Sequence, residues 1–227
     1  MQFRSLGNSD IEVSALGLGC WAIGGPYWHN GNANGWGKVD DNESISGIHK
    51  AIDNGVNFFD TADIYGCGHS EKILAKAIQG KRDQMIIATK FGITFDELDR
   101  SVTGECDEPE YIRKACEASL SRLDTDYIDL YQFHLGHSDN GEIVCKVLED
   151  LVLEGKIRSY GWSTDSPERA KIFSEGPHCV SIQQKLNVIE GNLETLKICE
   201  NNNLASINRG PLAMGILTGK FNSNTTF

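Results

Sequence analysis

The segment Asn54-Gly-Val-Asn-Phe-Phe-Asp-Thr-Ala-Asp-Ile-Tyr-Gly66 carries the strongest signal about the fold. Its Asn54-Gly55 pair predicts the end of an amphipathic helix, because glycine readily takes the left-handed backbone that closes a last turn. The apolar run Val56 to Phe59 then predicts a short buried strand. Asp60 follows that run directly and places a reactive side chain at the carboxyl end of the strand.

The same alternation of apolar runs and amphipathic segments recurs along the chain. Glycine ends further helical segments at Gly80 and Gly155, and Ser166-Pro167 has the cap and first-turn residues of a helix start. This pattern predicts a parallel sheet with crossover helices, built as an open doubly wound sheet or as a barrel. The predicted strands are Ala15 to Gly19, Val56 to Phe59, Met85 to Thr89, Tyr127 to Phe133, Ile157 to Trp162, Val180 to Ile182 and Leu204 to Ile207.

Length and composition predict one globular domain over residues 1–227. The chain is 40% hydrophobic and 23% charged, and no repeat or linker divides it. Its formal net charge of -11 argues against nucleic acid or an anionic membrane as the main partner, since both are polyanions. Seven cysteines without a CxxC pair, and no apolar leader or spanning stretch, favour reduced thiols in a cytoplasmic protein.

Two long stretches, Gly24 to Asp41 and Gly92 to Asp107, lack periodicity and are expected to be irregular loops. The first carries Tyr27, Trp28 and Trp36. It is therefore either a flexible surface loop or an aromatic wall over a binding site, and the pattern leaves both interpretations open.

Polar residues follow four of the predicted strands. Asp60, Lys90, His134 and Ser163 each come directly after an apolar run. The carboxyl ends of parallel strands meet at the edge where such folds bind ligands. Each residue alone has an ordinary structural explanation, as a helix cap, a solvated loop end or a buried imidazole. Together, with Tyr65 five residues beyond Asp60, they predict a proton-transfer site.

The chemistry of this set depends on the tyrosine. A phenol, with a pKa of about 10, is a poor acid at neutral pH unless its phenolate is stabilised. An ammonium from Lys90 favours the phenolate, and Asp60 can fix and charge-balance that ammonium. His134 can orient a carbonyl oxygen or relay a proton.

Several segments resemble the aldo-keto reductase family, in its order and along the whole chain. They are Phe59-Asp-Thr-Ala-Asp-Ile-Tyr-Gly66, Ala88-Thr-Lys-Phe-Gly92, Leu123-Asp-Thr-Asp-Tyr-Ile-Asp-Leu-Tyr-Gln-Phe-His134, Leu16-Gly-Leu-Gly19 with Trp21, Gly155-Lys-Ile-Arg158 and Gly210-Pro-Leu-Ala-Met-Gly-Ile-Leu-Thr-Gly-Lys220. The resemblance implies a (β/α)8 TIM barrel. It also implies an enzyme that passes hydride from a nicotinamide cofactor, NADPH more than NADH, to an aldehyde or ketone. Its catalytic residues would be Asp60, Tyr65, Lys90 and His134.

The resemblance also assigns the binding residues. The cofactor would contact Gly19, Cys20, Trp21, Asp60, Ser163, Thr164, Gln183, Arg209, Gly210, Pro211, Leu212, Gly215, Leu217 and Lys220. Ser163 and Gln183 match residues that bind the nicotinamide carboxamide, and Gly210 to Lys220 matches the pyrophosphate loop. Thr164 replaces an asparagine, and Arg209 replaces an aromatic residue whose stacking a guanidinium can imitate. The substrate pocket would be lined by Trp21, Tyr27, Trp28, Tyr65 and His134.

The chain ends at Phe227, before the family's final strand, last helices and second cofactor segment. We therefore expect an incomplete barrel of about seven βα units, shorter than the roughly 250 residues typical of this fold. Such a remainder leaves open sheet edges. The corresponding hypothesis is that the natural chain is longer than the 227 residues of this sequence.

Three other functions fit parts of the sequence. Gly17 to Ala22 matches the G-x-G-x-x-A fingerprint of dinucleotide-binding folds, although no helix is expected after it. Cys67 with His69, and His134 with His137, could ligate zinc, but their spacing fits no structural zinc pattern, so no metal is expected. The third alternative is a nucleotide-binding partner subunit with little activity. The pattern does not indicate the oligomeric state.

Overall fold

The computed structural model describes residues 1–222 and 224–226, and these contain thirteen strands and six α-helices. The strands are β1 Phe3–Ser5, β2 Glu12–Ser14, β3 Leu18–Gly19, β4 Tyr27–His29, β5 Asn32–Asn34, β6 Phe58–Asp60, β7 Ile86–Phe91, β8 Ile93–Asp96, β9 Ser101–Glu105, β10 Ile128–Phe133, β11 Ile157–Ser163, β12 Cys179–Lys185 and β13 Ala205–Arg209. The helices are α1 Asp41–Asp53, α2 His69–Ala77, α3 Pro109–Leu123, α4 Gly141–Leu153, α5 Pro167–Ser174 and α6 Leu193–Asn201. None of these helices is long and apolar enough to cross a membrane.

The main sheet has seven strands in the order β13-β12-β11-β10-β7-β6-β3, all parallel to their neighbours. All seven predicted strands are confirmed. Each new strand is added on the same side of the previous one, whereas a doubly wound sheet reverses its order at a switch point. The order therefore selects the barrel over the doubly wound sheet. Gly17 to Ala22 is followed by a 3-10 turn at Ala22–Gly24 and then by β4, not by a helix.

The helix boundaries follow the caps that the sequence contains. Pro109 occupies the first turn of α3, and Ser166 accepts a hydrogen bond from the Arg169 amide at the start of α5. Gly55 and Gly155, just beyond α1 and α4, have φ values of 83° and 74°. Only glycine takes such angles without strain, so these predicted helix ends are confirmed.

Strand alternation divides the inner side of the sheet into two layers. Phe58, Ala88 and Leu130 pack with the hairpin β1-β2 in one apolar cluster at the amino ends of the strands. Residues two positions further along share the same strand face. The alternation therefore carries Asp60 and Lys90 into a polar layer directly above this apolar floor.

The prediction that Gly24 to Asp41 and Gly92 to Asp107 are irregular loops is wrong. They form two hairpins that join in a four-stranded sheet of order β5-β4-β9-β8. One ladder pair, Trp28 with Ser101, connects the hairpins. A pairing across so many residues leaves no local periodic signal. The pair Asn30-Gly31 is a local sequence signal for a hairpin, because Asn-Gly is typical of two-residue hairpin turns. Both residues have the positive φ that such a turn requires.

Candidate active site

Lys90 lies at the centre of a buried polar cluster at the carboxyl end of the sheet. Its side chain is 0% exposed. Its ammonium donates to the Asp60 carboxylate at 2.8 Å, to the Thr61 carbonyl oxygen at 2.7 Å and to the Tyr65 hydroxyl at 3.4 Å. Burial lowers the pKa of Lys90, but Asp60 and Tyr65 outweigh it, so the pKa is raised. The amine is therefore a cation at neutral pH.

Tyr65 lies in the turn that follows β6 and packs against an apolar cluster that includes Tyr27 and Ile64. Its amide donates to the Ala62 carbonyl oxygen. Gly66 makes the turn possible, since it has φ of 62° and a Cβ there would lie 1.9 Å from the Gly24 carbonyl oxygen. Burial raises the pKa of Tyr65 and outweighs Lys90, which acts in the opposite direction. The hydroxyl therefore keeps its proton at neutral pH.

His134 follows β10 directly, and its ring lies edge-on to the Tyr65 ring at 6.2 Å between centroids. Burial, then the positive charges of Lys90 and Arg209, lower the pKa of His134 to about 3. Its Nδ1 is buried and has no hydrogen-bond partner within the described residues. The four predicted catalytic residues thus meet in one place, with a cationic lysine, a protonated phenol and a neutral imidazole.

Two glutamine amides hold the second oxygen of the Asp60 carboxylate. Gln183 donates to Asp60 Oδ1 at 2.8 Å, and Gln132 donates to the same atom at 3.1 Å. Ser163, at the end of β11, donates to Gln183 Oε1 at 3.3 Å. The structure therefore brings the predicted Ser163 and Gln183 to the cluster and adds Gln132, which the sequence interpretation left without a role.

Aromatic rings border one side of the cluster. The Trp21 ring lies 6.3 Å from the Tyr65 ring and 5.6 Å from the Trp36 ring, between centroids. Of the predicted pocket residues, Tyr27 is only 5% exposed in a cluster with Ala62, Ile64 and Cys67. Its neighbour Trp28 is 40% exposed on the opposite face of β4 and makes no ring contact with the site. Trp36, which the aromatic-wall interpretation includes, is absent from the predicted pocket residues although its ring contacts Trp21.

The segment after β11 is bound to the loop after β10. Four consecutive carbonyl oxygens, from Leu135 to Ser138, accept hydrogen bonds from side chains of residues 162–169. Thr164 is one of these donors, to the Gly136 oxygen at 3.3 Å, so its hydroxyl is already engaged. Arg209 pairs with the Asp165 carboxylate at the same rim.

The other predicted cofactor residues include one buried residue, and the rest are exposed or half-buried. The Cys20 thiol is buried in the main core, which raises its pKa to about 12, and its backbone amide donates to the Asp60 carbonyl oxygen. Gly19 is exposed, and no atom beyond its two chain neighbours lies within 4 Å of where its Cβ would be. Gly210 to Lys220 forms a largely exposed segment with a 3-10 turn at Ala213–Thr218 and positive φ at Gly215 and Gly219.

The two pairs considered for zinc contain two histidines that contact carboxylates instead. The Cys67 thiol is buried, and its pKa is raised to about 12. His69 contacts Asp41 at 2.8 Å, and His137 contacts Glu105 at 3.0 Å. Residues 1–222 and 224–226 contain no group of three or more histidine, cysteine or acidic side chains placed to hold a metal ion. The seven cysteines, all inside these ranges, are free thiols.

Comparison with known proteins identifies the family of this chain. Residues 15–227 match the Aldo/keto reductase family. This chain belongs to that family. The aldo-keto reductase YhdN of Bacillus subtilis is 37% identical over 232 residues, with 100% of this chain and 67% of the relative covered. The NADH-specific methylglyoxal reductase of Escherichia coli is 34% identical, with 94% and 68% covered.

A solved structure supports the fold of this family member directly. The glycerol dehydrogenase AKR11B4 from Gluconobacter oxydans superimposes with a TM-score of 0.85 at 37% identity, covering 99% of this chain and 68% of that one. The fold is therefore a TIM barrel of which seven parallel strands lie in the described residues. The chain spans about two thirds of the length of these relatives.

Proposed function

We propose that this protein is a nicotinamide-dependent carbonyl reductase in which Tyr65 donates a proton to the carbonyl oxygen of an aldehyde or ketone. The observation that carries the proposal is the contact of the Lys90 ammonium with both the Tyr65 hydroxyl and the Asp60 carboxylate, at 3.4 and 2.8 Å. A proton donor must hold its proton before reaction and release it during reaction. The raised pKa of Tyr65 satisfies the first condition, and Lys90 supplies the second by stabilising the phenolate as it forms.

The remaining residues of the cluster orient the substrate. A neutral His134 can donate one N–H to the carbonyl oxygen without competing with Tyr65 as an acid. Asp60 holds the ammonium in place and balances its charge, since each of its carboxylate oxygens has a donor. The Trp21 ring, with the Trp36 ring edge-on to it, borders one side of the site where the reacting oxygen would lie.

The residues around the cluster fit a nicotinamide cofactor. Ser163 and Gln183 present a hydroxyl and an amide at the mouth, where they could hold a carboxamide. The free space beside the Gly19 backbone leaves room for a flat ring to pack against it. Gly210 to Lys220 offers backbone amides and one cation for a pyrophosphate. When bound, the cofactor would supply the hydride.

The cofactor preference and substrate class belong to the same proposal. The resemblance favours NADPH, whereas the Escherichia coli relative is by name specific for NADH and acts on methylglyoxal. We propose small aldehydes and ketones as substrates and NADPH as the preferred cofactor. Titration of the intrinsic tryptophan fluorescence with NADPH and with NADH measures the preference on the protein itself.

The test is the oxidation of NADPH in the presence of aldehydes, ketones and quinones, with the Tyr65→Phe variant. Loss of a general acid should lower kcat on the order of 100-fold or more, while the cofactor Kd changes little. Tyr127→Phe is the matched control, because its ring packs against Arg82 at the opposite end of β10. An unchanged rate in Tyr65→Phe contradicts the proton-donor role. Cofactor binding without turnover of any carbonyl would instead identify a nucleotide-binding partner subunit.

A further inference from the structure

Gln132 is a buried side chain whose amide points at the candidate catalytic cluster. It lies on β10, level with Lys90 on one neighbouring strand and with Gly161 on the other. It is 0% exposed, and its Nε2 donates to Asp60 Oδ1 at 3.1 Å. We propose that Gln132 is a positioning residue that keeps the Asp60 carboxylate on Lys90 while the cofactor is bound. This inference rests on the proposed function.

The orientation of the Gln132 amide follows from its partner. An ionised carboxylate only accepts hydrogen bonds, so the NH2 group and not the oxygen must face Asp60. The amide oxygen Oε1 is then buried without a partner among the described residues. A buried, unpaired carbonyl is unfavourable compared with an apolar side chain of similar size. The donor is therefore the useful part of this residue.

Gln183 shares the same acceptor atom but has a second task. It donates to Asp60 Oδ1 at 2.8 Å, and in the proposed function its amide also serves the carboxamide of the nicotinamide. When Gln183 turns to the cofactor, Asp60 Oδ1 keeps only the Gln132 hydrogen bond. Lys90 holds the other oxygen at 2.8 Å. Without Gln132, the carboxylate would lose its fixed orientation at the time when Lys90 must assist Tyr65.

The experiment replaces Gln132 with methionine, which has a similar volume and no donor. Hydrogen bonds to charged groups are among the strong ones, so we expect kcat to fall about 10-fold. Gln184→Met is the matched control. Gln184 is also 0% exposed with an unpartnered Oε1, but its Nε2 donates to Ser206. Gln184→Met should therefore leave kcat and the cofactor Kd within about twofold of the parent, as expected for residues without shared partners.

A double-mutant cycle gives a readout that does not depend on turnover. In Gln132→Met, Gln183 is the last amide donor to Asp60, so moving it to the cofactor costs more free energy. The NADPH Kd should therefore rise about 5-fold, which is within the range of coupling energies between residues that share a partner. In a Gln183→Met background no amide has to move, and the same substitution should leave the Kd unchanged. Equal effects in the two backgrounds would overturn the proposal.

The Gln132→Glu variant tests the donor directly through pH. A protonated carboxyl can donate to Asp60, whereas an ionised one repels it. We expect its kcat relative to the parent to rise as pH falls from 8 to 6, and Gln132→Met to show no such recovery. A parent protein that reduces no carbonyl defeats the proposed function, but the Kd cycle still decides the role of Gln132. A kcat of Gln132→Met within twofold of an active parent overturns that role.

Discussion

The buried cluster around Lys90 and the segment Gly210 to Lys220 lie near the same end of the barrel but are built in opposite ways. In the cluster, Lys90 has three acceptors, and both oxygens of Asp60 have donors. In the segment, apolar side chains of Leu212, Met214 and Ile216 are more than half exposed. Its turn is closed by local bonds such as Gly215 N to the Leu212 oxygen.

The difference separates two parts of the proposed activity. Charges held by several buried partners are already in place before substrate arrives, and such preorganised groups act on the reacting atoms without further rearrangement. A segment held mainly by its own turn, with one side-chain hydrogen bond from Asn187 to the Gly210 oxygen, must be fixed by what it binds. We therefore expect changes in the cluster to alter kcat and changes in the segment to alter cofactor affinity.

The largest expected effect comes from Lys90→Met. This change leaves the Asp60 carboxylate without its cation and removes the charge that stabilises a Tyr65 phenolate. Breaking a buried ion pair from one side costs about 3–5 kcal/mol of unfolding free energy. kcat should fall on the order of 100-fold or more. Urea unfolding and steady-state NADPH oxidation measure the two effects.

The double variant Asp60→Asn with Lys90→Met separates stability from catalysis. It removes the unpaired carboxylate, so part of the lost stability should return, while kcat stays as low as in Lys90→Met. If the double variant recovers activity along with stability, Lys90 acts only through the fold, and the contrast between the two regions fails.

The second-largest expected effect is on cofactor affinity and comes from Gly215→Ala in the exposed segment Gly210 to Lys220. Gly215 has φ of 99°, and no atom would lie closer than 3.8 Å to an added Cβ, so the change strains the backbone without a clash. We expect the NADPH Kd to rise about tenfold, a 1.4 kcal/mol effect, with little change in kcat at saturating cofactor. Fluorescence titration and initial rates give both values.

Gly80→Ala is the matched control for this strain. Gly80 has φ of 76° beyond α2, and its Cβ position is also free of neighbours. The control should lose similar stability and keep the parent's cofactor Kd. Equal Kd values in Gly215→Ala and Gly80→Ala would mean that the segment does not hold the cofactor.

The sequence predicted the cluster better than its surroundings for a physical reason. Asp60, Lys90 and Ser163 are the last or next-to-last residues of their strands, and parallel strands bring such ends together whatever lies between them. The direction of the Tyr65 pKa was not accessible in this way. The ammonium of Lys90 was visible in the sequence, but burial is a property of the packed turn and proves to be the larger influence.

Two features of the structure were not predicted from the sequence, for different reasons. The sequence does contain a signal that Gln132 faces the cluster, since it lies two residues before His134 and two after the inward-facing Leu130. The sequence interpretation treats this glutamine only as part of a family motif. The sheet β5-β4-β9-β8 had little signal, because one long-range ladder pair joins its hairpins. Local patterns do not encode such pairings.

The smallest expected effect is a pH dependence that belongs to the cluster alone. An unfolded histidine binds a proton near pH 6.5, whereas His134 in the folded protein has its pKa lowered to about 3. Between these values the unfolded chain binds more protons, so the free energy of unfolding decreases as pH falls. The contribution of one such group reaches about 1.4 kcal/mol per pH unit.

His134→Gln should therefore reduce the loss of stability between pH 6 and pH 5 by about 1 kcal/mol. Urea unfolding of the parent and the variant at pH 7, 6 and 5 measures the difference. Tyr65→Phe is the control, since it alters the same cluster without removing the imidazole and should keep the parent's slope. Parallel pH profiles for the parent and His134→Gln would show that the imidazole takes up its proton in the folded protein. In that case His134 would be a cation beside Lys90 at low pH, and the buried cluster would be less sealed from water than its contacts indicate.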